Sequence, residues 1–233
     1  MRFLLFILFS IFLAYVFGQT ISNVRLDDHT SYIVELIQKT VNHAQKSNWH
    51  RLKVQDLSLD IDEEVLNKTV QGTINFKNGF IVSMQHLDLF PSTVQQFWLY
   101  TRSTNLTSLE LRSTMRMLDV TLGYAVEGTL NGEKYVNTGT FVYPMIQFQI
   151  TLIKNLMTEE LSSRVVPILP RTTNRMKFLP EDEFTPVLSH LYDWNSTLPS
   201  IISWADDVFA PIVLAVAETE YPIPPFCYDC PIR

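Results

Sequence analysis

The chain has 233 residues with 18 Lys+Arg against 24 Asp+Glu, a formal net charge of −6. An acidic chain with no run of Lys or Arg is a poor partner for nucleic acid or an anionic membrane surface. Two cysteines cannot make a disulfide framework, so stability must come from a packed core.

Residues 1–18 read as a secretory signal peptide: Arg2, then an uncharged apolar run from Phe3 to Phe17, with Val16 and Gly18 placed as small residues before a cleavage site. That run is short for a spanning helix, and no later segment reads as one. The expectation is a secreted, extracellular protein. The sequons at Asn67, Asn105 and Asn195 fall between periodic segments, where glycans fit a surface. What remains, 19–233, is about 215 residues without linker, repeat or low-complexity tract, and reads as one domain with a Pro- and Cys-containing tail at 221–233.

Thr30 and Ser31 are candidate N-caps for a helix whose apolar positions are Ile33, Leu36, Ile37, Val41 and Ala44, ending near Ser47. Leu52 to Glu64 is mixed, an irregular or short-strand connection. From Val70 the period becomes two: Val70, Gly72, Ile74 and Phe76, then Asn78-Gly79 as a hairpin signal, then Phe80, Val82 and Met84. Gln96 to Tyr100 is a further strand candidate.

Asn131-Gly132 is a preferred two-residue hairpin turn. That turn places Leu130 opposite Glu133, Leu122 opposite Phe141, Val120 opposite Tyr143, Met117 opposite Ile146, Met115 opposite Phe148 and Leu111 opposite Leu152. The alternation changes phase between Met117 and Leu118, and again directly across at Met145–Ile146. A one-residue slip moves side chains to the other face, so the ribbon should twist sharply or carry paired bulges there. Thr107 to Val126 alone would extend roughly 65 Å at ~3.3 Å per residue, against roughly 44 Å for the diameter of a compact domain this size.

Phe184, Val187, Leu188 and Leu191 have helical spacing after Pro180. A last helix carries Ile201, Ala205, Val208, Phe209, Ile212 and Val216 on one face, with no charge from Val208 to Ala217. Pro211 is expected to kink or divide it.

An N-terminal helix followed by "KSNWHRLKV", the strands "VQGTINFKNGFIV", the long hairpin and "VFAPIVLAVAETE" in the last helix together resemble the tubular lipid-binding superfamily. The order of elements is similar to that of the group 7 mite allergens. The superfamily also includes juvenile-hormone-binding and takeout-like insect proteins and the bactericidal/permeability-increasing proteins. The resemblance covers roughly Ser31 to Glu220. It implies an α+β fold: a long, strongly curved antiparallel sheet rolled around the C-terminal helix, with an N-terminal helix beside it. It also implies a hydrophobic small molecule or lipid as partner, in an apolar cavity lined by Phe76, Val82, Met84, Met115, Met117, Val120, Leu122, Tyr143, Ile146, Phe148, Phe209 and Ile212. The chain lacks the N-terminal cysteine pair of the hormone-binding members, and it is acidic and single-domained where the bactericidal members are cationic and double.

No nucleophile elbow, zincin, Walker or dinucleotide motif is present, so no enzyme activity and no cofactor are expected. His43 and His50 have no third ligand, and the acidic run Asp60, Asp62, Glu63 and Glu64 lacks the glycine and distal glutamate of a calcium loop; no metal is expected. Cys227 and Cys230 lie among prolines rather than at a helix start, which favours an inert local disulfide over a redox pair. The alternative to a carrier is a secreted glycoprotein of the same fold, its core filled, acting on other extracellular proteins.

Overall fold

The computed structural model describes residues 24–47, 52–83, 86–104, 106–168 and 177–228; the expected signal peptide, Met84 and Cys230 lie outside them. It is α+β, built on a nine-stranded antiparallel sheet. Strands β1 (Val24–Arg25) and β11 (Cys227–Tyr228) pair separately and join the two ends of the described chain.

The sheet is organised around β7 (Leu106–Leu130) and β8 (Glu133–Asn155), joined at Asn131-Gly132 with both turn residues at positive φ. Partners succeed one another along the outer edges of this hairpin. On β7 they are β4 (Lys68–Ser83), β5 (His86–Leu89) and β6 (Gln95–Thr101); on β8 they are β10 (Lys177–Leu179) and β9 (Leu161–Ile168). Beyond β4 lie β2 (Lys53–Val54) and β3 (Leu57–Val65). The 52–64 segment is therefore mostly regular strand, with its acidic residues exposed along the sheet edge; Asp60 and Asp62 accept hydrogen bonds from Thr73 and Gln71.

The hairpin has the register that its turn implies. Leu130 faces Glu133, Val120 faces Tyr143, Met115 faces Phe148 and Leu111 faces Leu152. The phase change is centred one residue later than the alternation suggests. Asp119, exposed and at φ 50, leaves the ladder together with Pro144 opposite, and pairing resumes in the same register on both sides. Aspartate tolerates this left-handed conformation better than most residues, and proline has no N–H to offer a ladder. Of the two outcomes the alternation allows, the paired bulge is the one formed. The ribbon does not swap faces: Leu109, Leu111, Met115 and Met117 before the bulge and Val120, Leu122, Tyr124 and Val126 after it all join one core.

A correction concerns Asn78-Gly79, which makes no hairpin. β4 runs straight through it with a register shift between Lys77 and Phe80. Asn78 adopts φ 54 and its N–H donates to Asp56 Oδ1. A Cβ on Gly79 would lie 2.3 Å from the Tyr124 ring, so the glycine makes room for an aromatic rather than for a turn. The tight β3–β4 turn is instead Leu66-Asn67, both at positive φ.

Helix α1 (His29–Lys46) is capped by Asp28, whose carboxylate accepts from Ser31 N, not by Thr30 or Ser31. It buries Ile33, Leu36, Ile37, Val41 and Ala44 as the spacing predicts. Helix α2 (Thr185–Leu191) follows Asp182, which accepts from the N–H groups of Phe184 and Thr185.

Helix α3 (Leu198–Glu220) is not divided by Pro211. A π turn at Ala205–Phe209 precedes the proline. Proline removes one backbone donor and crowds the preceding turn, and the wider i→i+5 turn accommodates it. The π turn also rotates the buried face. Trp204, Ala210, Val213 and Ala217 join Ile201, Ala205, Phe209 and Val216 inside, while Val208 is exposed and Ile212 only half-buried. The helix is thus buried on one side, not all round. At 23 residues it is long and apolar enough to cross a membrane, contrary to the sequence expectation, although here that apolar face packs into the core.

Helices α1 and α3 pack on one another; α1 touches β6 and β7, while α3 touches β8 and β9. Over the other half of the sheet, Phe76 and Tyr124 meet Tyr192, which follows α2.

Candidate functional site

The residues expected to line a cavity come together in the buried interior. Phe76, Met115, Met117, Val120, Leu122, Ile146, Phe148 and Phe209 are each 0–1 % exposed, and Ile212 packs against them from the rim. Met84 and the side chains of Val82 and Tyr143 lie outside what is described.

Two aromatic groups divide this core. In one, Phe76 stands edge-on to Tyr124 and Tyr192, at centroid distances of 5.9 and 5.1 Å, and the two hydroxyls meet at 3.2 Å. Burial pushes both phenols above their ordinary range, because a phenolate would lose its hydration there. In the other, Trp204 stacks on Phe209 at 5.3 Å and tilts against Phe148 at 5.6 Å.

The second group leads outward. A groove of about 500 Å³ opens between the β2 segment and the first turns of α3. Its apolar lining is Leu52, Val54, Pro199, Trp204 and Val208; its polar lining is Lys53, Gln55, Ser200, Ser203 and Asp207. The alternation of β2 explains the first half: Leu52 and Val54 are buried while Lys53 and Gln55 are exposed. The two walls are tied where Gln55 N donates to Ser200 Oγ at 3.0 Å, and Ser203 Oγ donates to Asp207 Oδ2 at 2.6 Å along the helix rim.

Of the groove residues, none was expected from the sequence to line a ligand site; Val208 was read only as part of the last helix's apolar face. Trp204 is the informative omission. At 3.6 residues per turn it lies well round the helix from Phe209, five positions on. The i→i+5 geometry of the π turn brings the two rings together, and no apolar period discloses it. Pro211 inside an apolar run was the one available hint.

A smaller cavity of about 240 Å³ lies between the C-terminal ends of α1 and α3, with Lys39, Asn42, His43, Lys46 and Glu220 around it. His43 Nδ1 and Glu220 Oε1 are 3.0 Å apart. Basic side chains complement the partial negative charge of helix C-termini, which accounts for this cluster without a ligand. Among the described residues no group of three or more His, Cys, Asp or Glu is placed to hold a metal.

Asn67 is exposed in its turn; Asn195 is exposed, with its amide donating to Asp193; Asn105 lies outside the described residues. Cys227 carries no free thiol.

No protein-family model matches the chain, and no curated protein matches its sequence. Among solved structures it is similar to the crystal structure of lipopolysaccharide binding protein, with a TM-score of 0.41 and 11% identity over 79% of this chain. The match spans 38% of that protein's length.

Proposed function

We propose that this protein is a secreted, glycosylated, non-enzymatic carrier of a single-chain amphiphile or a similar apolar small molecule. In this reading the long sheet curls around α1 and α3 as in the tubular lipid-binding proteins, Cys227 and Cys230 close an inert loop, and 19–233 is one domain. The observation that carries the reading is the groove: about 500 Å³, with Leu52, Val54 and Trp204 buried at its base and five polar side chains around it. Sites for small molecules are typically concave, mostly apolar and roughly 300–1,000 Å³, with sparse polar groups that fix orientation. Burying about 200 Å² of an acyl chain there would contribute roughly 5 kcal/mol at ~25 cal/mol per Å², before the costs of association. Lys53, Asp207 and the serine hydroxyls would hold the polar end at the rim.

The burial of the expected lining residues also fits a second reading, a secreted glycoprotein with a filled core that acts through protein contacts. A groove-filling substitution separates the two. Ser203→Trp introduces an indole from an exposed groove position without touching the core. The carrier reading expects the wild type to take up a fluorescent fatty-acid analogue and Ser203→Trp to lose at least tenfold in affinity at an unchanged melting temperature. Equal uptake by both proteins would move the ligand away from this groove.

A further inference from the structure

Trp204 belongs both to the groove and to the core. It lines the outer cavity, yet it is only 3 % exposed and its ring contacts Phe148 and Phe209 on the far side. Beside Phe148, directly across the strands, is Met115, fully buried and of the most adaptable side-chain type. Of the three buried side chains that line the groove, Leu52, Val54 and Trp204, it is the Trp204 ring that touches Phe148 and Phe209 of the core.

Resting on the carrier reading, the geometry points to Trp204 as the partition that sets how far an acyl chain penetrates from the groove into the core, and hence the chain length the protein selects. A chain running along Leu52, Val54 and Val208 ends at the indole. With the indole in place, additional methylenes must remain outside in water. With it removed, they enter the space between Phe148 and Phe209 and gain the transfer free energy of burial. Hydrogen bonds that do not involve this ring also hold the helix. Ser163 Oγ donates to the Ala210 carbonyl and joins β9 to α3, and Ser200 holds the β2 side through Gln55.

The test is competition between a fluorescent fatty-acid probe and saturated fatty acids from decanoate to stearate, on the full secreted chain. The wild type should gain affinity with length up to an intermediate acid and then level off. Trp204→Ala, with Trp204→Leu as a second variant that keeps an apolar side chain, should extend that gain, improving stearate over decanoate by about tenfold or more relative to the wild type. Val216→Ala loosens α3 at a buried position outside the groove and should leave the length profile unaltered. A uniform loss at every length in the Trp204 variants, or the same profile as the wild type, would overturn the partition while leaving the carrier standing. A wild type that takes up none of the acids would overturn both.

Discussion

Asp119 shows how much one residue can decide. Its φ of 50 lets the β7–β8 ribbon drop one residue from each strand and keep a single buried side. Glycine reaches this conformation without the Cβ penalty, whereas a β-branched side chain is excluded from it. Asp119→Gly should therefore be neutral or stabilise by up to about 1 kcal/mol, and Asp119→Val should destabilise by about 1–2 kcal/mol. Urea unfolding of the pair checks this; equal stabilities would mean the bulge carries no strain. The phase change was legible in the sequence because hydrophobic alternation records it directly. Its resolution was not, because alternation alone does not distinguish a ribbon that swaps faces from one that skips a residue. Buried tyrosines give a second test at this scale. Burial raises the pKa of Tyr32, Tyr124 and Tyr192 above the ordinary value near 10. A folded pKa above the unfolded one gives a contribution that is fully present below about pH 10 and lost as pH rises through the folded values. Stability should fall steeply above pH 10, and phenolate absorbance from these three should appear only with unfolding. Ionisation of Tyr32, Tyr124 and Tyr192 in the intact fold would contradict their burial.

Among the elements, the long hairpin and α1 were readable from period and turn chemistry, because Asn131-Gly132 fixes a register and α1 follows an uninterrupted α-helical repeat. Asn78-Gly79 has the same local signal and a different outcome. There the Tyr124 ring needs the space and β2 provides a neighbour, neither of which is local information. Helix α3 misleads for a related reason: its π turn shifts the inward face, so Val208 lies outside and Trp204 inside. Phe209 remains inward under either period, at 0 % exposure. Phe209→Asp would bury a charge with no partner among apolar neighbours, at a cost of about 4 kcal/mol or more, a large part of a typical domain's stability. Expression should yield little folded, secreted protein. Normal secretion with an unchanged melting temperature would show that α3 does not pack as described.

At the scale of the whole molecule, one apolar interior runs the length of β7. α1 and α3 cover one half, and the region around α2 and Tyr192 covers the other. That a large apolar interior exists was evident from composition and period. Where it opens was not, since the groove depends on the approach of β2 to α3, more than 140 residues apart in sequence. The carrier account makes its most direct claim about what leaves the cell with the protein. Native mass spectrometry of the full chain, secreted from a eukaryotic host and deglycosylated, should show a second mass of a few hundred daltons that is released on denaturation and extracts into organic solvent. A bare polypeptide mass, together with no uptake of fluorescent fatty acids, would contradict the account and leave the filled-core interaction protein in its place.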